Sequence, residues 1–177
     1  MNKTVIIING QGRSGKDTIC KIIAKRYKVK NVSAIDPVKK IAAEFGWKGE
    51  KDDKSRKMLA DLKQILIAYN DYPFKYIMQN VCDFVSGDEQ IMFAHIRESD
   101  EIEKVVNACR ENGINVLTLL VKRNDKFFVK KTYGNAADDG VENYPYDFIY
   151  SGHNDTVEYL EKDFNDFFDK NISPKMG

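Results

Sequence analysis

The amino-terminal stretch TVIIINGQGRSGKDT, residues 4–18, decides the fold of this chain. Thr4 to Asn9 is a nearly unbroken run of β-branched residues, which is typical of a parallel strand buried on both faces. A turn with three glycines follows, and from about Lys16 to Lys28 apolar residues recur at helical spacing. The stretch therefore predicts a strand, a tight turn and a helix in direct succession.

The turn has the spacing G-x-x-x-x-G-K of a phosphate-binding loop, the P-loop. Glycines let backbone N–H groups surround a phosphate, and the N-terminus of the helix adds positive potential. The residues predicted to bind a nucleotide here are Gly10, Gly12, Arg13, Ser14, Gly15, Lys16, Asp17 and Thr18. Asp17 stands where Ser or Thr usually ligates magnesium, so we expect Thr18 or bound water to hold the metal.

The rest of the chain alternates between strand and helix patterns. Strands are predicted at 28–33, 90–95, 114–121 and 148–150, and helices at 37–45, 53–69, 73–85, 99–112 and 156–170. This order predicts one α/β domain, residues 1–177, a three-layer sandwich with a mostly parallel five-stranded sheet. Ligands then bind at the carboxyl ends of the strands, where segments 36–85 and 124–146 are expected to form insertions.

Two details of these helices are specific enough to test. Leu59, Leu62, Ile65 and Leu66 fall on one face of the helix at 53–69. Ser99 precedes an acidic first turn and is predicted to cap the helix that follows it.

Composition narrows the classes of function. Of 177 residues, 42% are hydrophobic and 31% charged, which excludes a disordered or coiled-coil chain. The 28 basic and 27 acidic residues give a net charge of +1, which argues against a nucleic-acid or anionic-membrane partner. The apolar run at 5–8 is too short for a signal peptide or a membrane span.

The three cysteines are odd in number and form no C-x-x-C motif, and there are only two histidines. This pattern predicts free, mostly buried thiols in a reducing compartment, and it argues against a zinc cluster. We therefore expect a cytoplasmic protein that acts on a small molecule. A homodimer is left open by the sequence.

Several segments, in order along the chain, resemble the phage-type deoxynucleoside monophosphate kinases. Those similar to the phosphate loop and the substrate side are Arg13-Ser-Gly-Lys-Asp-Thr18, Asp36-Pro-Val-Lys39, Phe45-Gly-Trp47 and Asp53-x-x-Arg56-Lys-x-Leu59. Those similar to the Asp-x-Arg segment, its helix and the lid end are His95-Ile-Arg97-Glu98, Glu101-Ile-Glu103 and Ala137-Asp-Asp-Gly140 to Tyr150. The resemblance implies a nucleoside monophosphate kinase fold and magnesium-dependent phosphoryl transfer from ATP to a (deoxy)nucleoside monophosphate. It also implies that 36–85 binds the acceptor and that 124–146 is a lid-like loop.

The chain departs from that family at two places. His95 stands in place of Asp, and residues 124–146 contain Lys126, Lys130 and Lys131 but no arginine. Lysine does not make the bidentate contact that arginine makes to phosphate. Two alternatives therefore stay open. One is a P-loop kinase for another small phosphorylated metabolite, since the loop also resembles that of animal-type phosphomevalonate kinases. The other is a nucleotide-binding protein that has lost catalysis.

Phosphoryl transfer depends on positioning and on charge neutralisation, so we expect basic residues at the strand ends to carry it. Lys16 is predicted to reach the β- and γ-phosphates, Arg13 a donor or acceptor phosphate, and Arg97 the acceptor phosphate. The alternatives are a solvated loop side chain for Arg13 and an ion pair with Glu98 or Glu101 for Arg97. The resemblance further assigns Arg56 and Lys39 to the acceptor, and Arg123 is a candidate for the donor base or phosphates. The alternative for both Arg56 and Arg123 is a solvated surface charge.

Carboxylates supply the remaining predicted roles. Asp36 is expected to hold magnesium through water or to orient the acceptor, and the alternative is a plain helix N-cap. Asp17 is expected to hold magnesium waters or to accept the proton of the acceptor, and the alternative is a favourable contact with the helix dipole. Glu98 is a weaker metal candidate, and we interpret His95 as a buried polar residue satisfied by a neighbour. The residues that either stack a nucleobase or belong to the core are Trp47, Tyr69, Tyr72, Phe74 and Tyr76.

Overall fold

The structure, a computed structural model, describes residues 3–123, 140–152 and 156–176. Within these ranges the strands are β1 (Thr4–Asn9), β2 (Val29–Ser33), β3 (Ile91–His95), β4 (Asn115–Arg123) and β5 (Phe148–Gly152). The α-helices are α1 (Lys16–Ala24), α2 (Asp36–Glu44), α3 (Asp53–Asn70), α4 (Tyr72–Ser86), α5 (Ser99–Glu111) and α6 (Val157–Phe167). After α6 come a π-helical turn, Phe168–Ile172, and a 3-10 turn, Ser173–Lys175.

The five strands form one sheet in the order β2-β3-β1-β4-β5. All four described pairings are parallel, so the predicted five-stranded sheet is confirmed and is parallel throughout. The register places Ile8 opposite His95 on one side and Leu119 on the other, and Ser33 opposite His95. The carboxyl ends of β1, β2 and β3 therefore lie at one level of the sheet edge, where ligands of such folds bind.

Alternate residues of β1 face the two sides of the sheet, and both sides are covered. Ile6 and Ile8 belong to a core formed with α1 and α6, and Val5 and Ile7 to a core formed with α4 and α5. None of the four is more than 1% exposed. Helices on both faces explain why this strand is apolar without alternation, and they confirm the predicted three-layer α/β sandwich.

Some predicted ends of the helices were wrong. α1 ends at Ala24 rather than near Lys28, because the N–H groups of Lys25 and Arg26 donate to carbonyls three residues back and tighten the last turn. Ser99 is not the cap of α5. The cap position is held by Glu98, which makes no side-chain capping bond because its carboxylate pairs with Lys63.

The face of α3 that carries the apolar residues is only partly buried. Leu59, Leu62 and Leu66 are only half-buried and Ile65 is 64% exposed, and Lys63 is the helix's buried residue. The reason is position: α3 packs on α2 and α4 at the edge of the fold rather than on the sheet. Within segment 36–85, α4 belongs to the core, so α2 and α3 are the part that stands beside the strand ends.

All three cysteines are free thiols, as the sequence predicted, with Cys20 and Cys109 buried and Cys82 exposed. Burial raises the pKa of Cys20 to about 12 and that of Cys109 to about 11, so both are neutral at physiological pH. Across the described ranges, no helix combines the length and the apolar character needed to cross a membrane.

Candidate active site

The turn between β1 and α1 is built to expose backbone N–H groups. Arg13 and Gly15 adopt left-handed backbone conformations with φ of 66° and 97°, and the N–H of Ser14 donates to the Gln11 carbonyl at 3.2 Å. Such a turn directs neighbouring N–H groups into one concavity, which suits an anion. Gly15 is the N-cap of α1 and no side chain caps this end, so the first amide groups of the helix are left for a ligand.

Gly10 lies where the loop passes closest to β4. A Cβ atom at this position would stand 2.3 Å from the carbonyl oxygen of Val121, and the φ of Gly10 is +151°. Any other L-residue would push the loop away from β4. Gly10 does not line the cleft described below, so in this structure its part is to let the loop form.

We expect Gly10→Ala to destabilise the protein by at least about 2 kcal/mol, because its Cβ collides with backbone that cannot rotate away. Gly46→Ala is the matched control, because Gly46 also has a positive φ, +90°, but a Cβ atom added there would have nothing within 4 Å. Urea unfolding of both variants measures the difference. Equal losses of stability would show that conformational strain alone, and not the approach to β4, determines the choice of glycine.

Asn9 joins three parts of the site, although it is fully buried. Its Oδ1 accepts from the N–H of Gly10 at 2.8 Å, and its Nδ2 donates to the Arg97 carbonyl at 3.0 Å and the Tyr146 hydroxyl at 2.7 Å. Tyr146 in turn donates to the Val141 carbonyl at 2.8 Å. Asn9 is not among the site residues predicted from the sequence. The signal was a polar residue that ends an otherwise apolar buried strand.

Lys16 is folded back onto its own loop. Its Nζ donates to the carbonyls of Gly10 and Gln11 at 2.6 and 2.9 Å and to Oγ of Ser14 at 3.4 Å. Burial, followed by the nearby charge of Arg97, lowers the pKa of Lys16 to about 8. The ammonium group is therefore charged at neutral pH, and an anion bound beside it would stabilise that charge.

A cavity of about 890 Å³ opens at the carboxyl edge of the sheet, in front of the loop. Among the described residues, those predicted to contact phosphate or magnesium line it with the exception of Gly10, namely Gly12, Arg13, Ser14, Gly15, Lys16, Asp17, Thr18, Asp36, Lys39, Arg56, Arg97, Glu98 and Arg123. In the part of the chain that the structure describes, eight Lys and Arg side chains and four Asp and Glu side chains line the cavity, a formal excess of four positive charges. The whole chain has a net charge of only +1, so positive charge is concentrated in this cleft.

The acceptor-side candidates come from α2, α3 and the turn after β3. Asp36 is the first residue of α2, and its carboxylate accepts from the N–H of Ser33 at 2.8 Å. It therefore closes the turn between β2 and α2, and the N-cap position belongs to Ile35 instead. Nε of Arg56 donates to the Lys51 carbonyl at 3.2 Å, close to the start of α3. The Asn9 bond fixes the backbone of Arg97 at the end of β3.

His95 lies on the floor of the cleft and is half-buried. Its Nε2 is 3.4 Å from Oδ1 of Asn31 and 3.9 Å from Sγ of Cys20. Burial lowers the pKa of His95, and the carboxylates of Asp17 and Asp36 act in the opposite direction. The imidazole is accordingly neutral at neutral pH, in keeping with its interpretation as a polar residue satisfied by neighbours.

Oxygen ligands suited to magnesium line the same cleft. No group of three or more His, Cys, Asp or Glu side chains gathers as a metal cluster within the described ranges. Magnesium does not require one, because it keeps several waters and takes one or two protein ligands in addition to substrate phosphates. The hydroxyl of Thr18 and the carboxylates of Asp36 and Asp17 therefore fit the ion.

The aromatic residues predicted either to stack a nucleobase or to belong to the core lie in three different environments. Trp47 is the aromatic residue among those that line the cleft, and its Nε1 donates to the Glu50 carbonyl at 3.3 Å. Phe74 and Tyr76 pack against the core, whereas Tyr69 is 82% and Tyr72 38% exposed. The predicted lid lysines Lys126, Lys130 and Lys131 lie outside the described residues.

Comparison with known proteins shows the fold. No protein-family model matches the sequence, and no curated protein matches it significantly. Among solved structures, a provisionally assigned kinase of Chloroflexus aurantiacus has a TM-score of 0.52 at 12% identity, covering 97% of this chain and 98% of that one. TT1252 of Thermus thermophilus has a TM-score of 0.51 at 13% identity, with 96% and 98% covered. The APS kinase CysC of Mycobacterium tuberculosis, as a cysteine-to-alanine mutant, has a TM-score of 0.50 at 9% identity, with 95% and 98% covered.

At these identities the likeness is one of fold. The expected P-loop kinase fold is therefore confirmed over nearly the whole chain. The narrower resemblance to deoxynucleoside monophosphate kinases stays a prediction.

Proposed function

We propose that this protein is a magnesium-dependent kinase that transfers the γ-phosphoryl group of ATP to a (deoxy)nucleoside monophosphate. One observation carries the proposal: a single cleft joins the phosphate loop to a second set of basic residues. Lys16 and the loop amides come from the turn between β1 and α1, and Lys39, Arg56 and Arg97 come from α2, α3 and the turn after β3. A cleft lined by two sets of basic residues fits two phosphate-bearing ligands.

The chemistry of the cleft favours an acceptor that already carries a phosphate. A phosphate monoester has a second pKa of about 6, so its attacking oxygen is ionised at neutral pH. No general base is then required, and the basic side chains of Lys39, Arg56 and Arg97 match the charge of such an acceptor. An alcohol acceptor has a proton to lose in the transfer and needs a base positioned to accept it.

The roles of the residues follow from charge and position. Lys16 and the loop amides bind the β- and γ-phosphates of the donor, and Arg97 with Arg56 binds the acceptor phosphate. Arg123 is proposed to contact the donor, Lys39 the acceptor, and Arg13 a phosphate of either ligand. Together they hold the two ligands in line while the γ-phosphorus bond to the bridging oxygen breaks and the bond to the acceptor oxygen forms.

Thr18, Asp36 and Asp17 would hold the magnesium ion, directly or through water. When bound, magnesium neutralises phosphate charge and aligns the donor oxygens. The carboxylates act as ligand-orienting groups in this scheme, and Asp36 remains tied to the Ser33 amide by one of its oxygens.

A coupled assay of ADP release with each common ribo- and deoxyribonucleoside monophosphate tests the proposal. We expect turnover with at least one of them and none without magnesium. If ATP binds but no nucleotide accepts the phosphoryl group, the nucleotide proposal is wrong. A second screen with phosphorylated alcohols and terpenoid or sugar phosphates then tests the metabolite-kinase alternative, which the same basic residues favour because they recognise phosphate rather than base.

The affinity for ATP is expected to depend on pH through Lys16. Its pKa of about 8 in the free protein rises when polyphosphate binds, so binding takes up a proton above that pH. The dissociation constant is therefore expected to be flat between about pH 7 and 8 and to rise by up to about tenfold per unit above pH 8. Calorimetric titrations of ATP up to about pH 9.5 measure this, and Lys16→Met should bind weakly with no such rise.

A further inference from the structure

Helix α3 is docked in an unusual way. It is 18 residues long, yet the residue it buries is a lysine, Lys63. Apolar side chains that normally hold a helix in place are exposed, Ile65 at 64% and Tyr69 at 82%. Leu59, Leu62, Leu66 and Ile67 are partly buried, so no apolar side chain of α3 is fully buried against the rest of the protein.

Lys63 pairs with Glu98, which lies just after the carboxyl end of β3. The Nζ atom of Lys63 is 2.5 Å from Oε2 of Glu98, and the two side chains are only 8% and 18% exposed. Glu98 follows Arg97 directly and holds the N-cap position of α5. The ion pair thus connects the middle of α3 to the turn that carries Arg97.

The position of Lys63 on the helix matters for Arg56. The two residues are seven apart, so they lie on nearly the same helical face, about 10 Å from each other along the axis. Both line the cleft, as do Leu59 and Ala60 between them. Docking of Lys63 onto Glu98 therefore presents Arg56 to the same cleft as Arg97.

We propose that the buried Lys63–Glu98 ion pair is the element that docks α3, and that it positions Arg56 relative to Arg97 for binding of the acceptor. Loss of one partner leaves an uncompensated charge in a buried place, which is strongly unfavourable. Because no apolar side chain of α3 is fully buried, we expect the helix to move out and that charge to become hydrated while the core stays folded. The docking is independent of what the protein catalyses, whereas the positioning of the acceptor rests on the proposed function.

Amide hydrogen exchange of the unliganded protein tests the docking. Lys63→Met is expected to accelerate exchange across 53–70 by at least about tenfold, while β1 and α1 exchange as in the wild type. Lys57→Met is the matched control on the same helix, because Lys57 pairs with Asp61 while the two side chains remain 75% and 59% exposed. Exchange in Lys63→Met no faster than in Lys57→Met would overturn the proposal.

Two further variants keep the test decisive. Glu98→Gln retains a hydrogen-bond acceptor and should show a smaller increase in the same segment, so it serves if Lys63→Met fails to fold. Exchanging the charges, Lys63→Glu with Glu98→Lys, should return exchange to within about threefold of the wild type. If the exchanged pair does not restore protection from hydrogen exchange in 53–70, in a protein that is folded elsewhere, docking of α3 by an ion pair is contradicted.

The positioning role is tested by kinetics. The KM for the nucleoside monophosphate should rise at least about tenfold in Lys63→Met, while the KM for ATP stays within about twofold. Faster exchange in 53–70 with an unchanged acceptor KM would overturn the positioning role. Lack of turnover with every acceptor in the wild type would instead overturn the proposed function, and hydrogen exchange would still decide the docking.

Discussion

Lys16→Met is expected to reduce phosphoryl transfer by at least about a thousandfold while the fold remains intact. The Lys16 ammonium donates to two carbonyls of the phosphate loop, those of Gly10 and Gln11. When polyphosphate binds, we expect that ammonium to move from the carbonyls to the phosphate oxygens. Methionine keeps the length of the side chain but provides no charge, so the growing charge on the transferred group is left without its partner.

The rate of ADP release at saturating ATP measures this loss, with circular dichroism and thermal unfolding as checks of the fold. Lys21→Met is the control, because Lys21 is an exposed lysine on the same helix and should leave the rate within about twofold of the wild type. Comparable rates in Lys16→Met and the wild type would rule out the assignment of the loop.

Arg97→Met is expected to reduce kcat/KM for the acceptor by at least about a hundredfold with little change in the KM for ATP. Arg97→Lys should recover only part of this loss, because lysine keeps the charge but cannot make the bidentate hydrogen bonds that arginine makes to a phosphate. The backbone of Arg97 should not move in either variant, since the bond to its carbonyl comes from Asn9.

Arg97→Met should also change the pKa of Lys16. The charge of Arg97 is the second cause of the lowered pKa of Lys16, after burial, so Arg97→Met should raise that pKa. The onset of the loss of ATP affinity at alkaline pH should therefore move above pH 8. Arg110→Met, at an exposed position on α5, is the control for both measurements. An unchanged acceptor kcat/KM in Arg97→Met would remove Arg97 from the acceptor site.

The sheet was predictable because its signals are local. An apolar β-branched run is stable as a strand only when helices cover both faces, and the alternation of Ile6 and Ile8 with Val5 and Ile7 between two cores realises that condition. The phosphate loop was predictable for a similar reason. The glycines encode much of its backbone conformation, because Gly10 and Gly15 take positive φ values, and Arg13 takes a third.

The inner face of α3 was not predictable in this way. Helical periodicity tells which side chains share a face, but not whether a surface exists for that face to cover. Leu59 and Ile65 indicated a buried stripe, yet α3 stands beside the strand ends, where Lys63 and Glu98 meet instead. A lysine in a charged segment gives no sign in the sequence that it will be buried, because the partner lies 35 residues away.

The sequence by itself determined the parallel α/β fold and the loop that exposes its amides to an anion. Both depend on residues that are neighbours in the chain, so local backbone preferences and apolar patterning suffice. Only the tertiary structure decided that Arg56, Arg97 and Lys16 line one cleft, that Asn9 ties the loop to the turn after β3, and that an ion pair docks α3. Those relations depend on the order of strands in the sheet and on long-range burial, which bring distant residues to one edge.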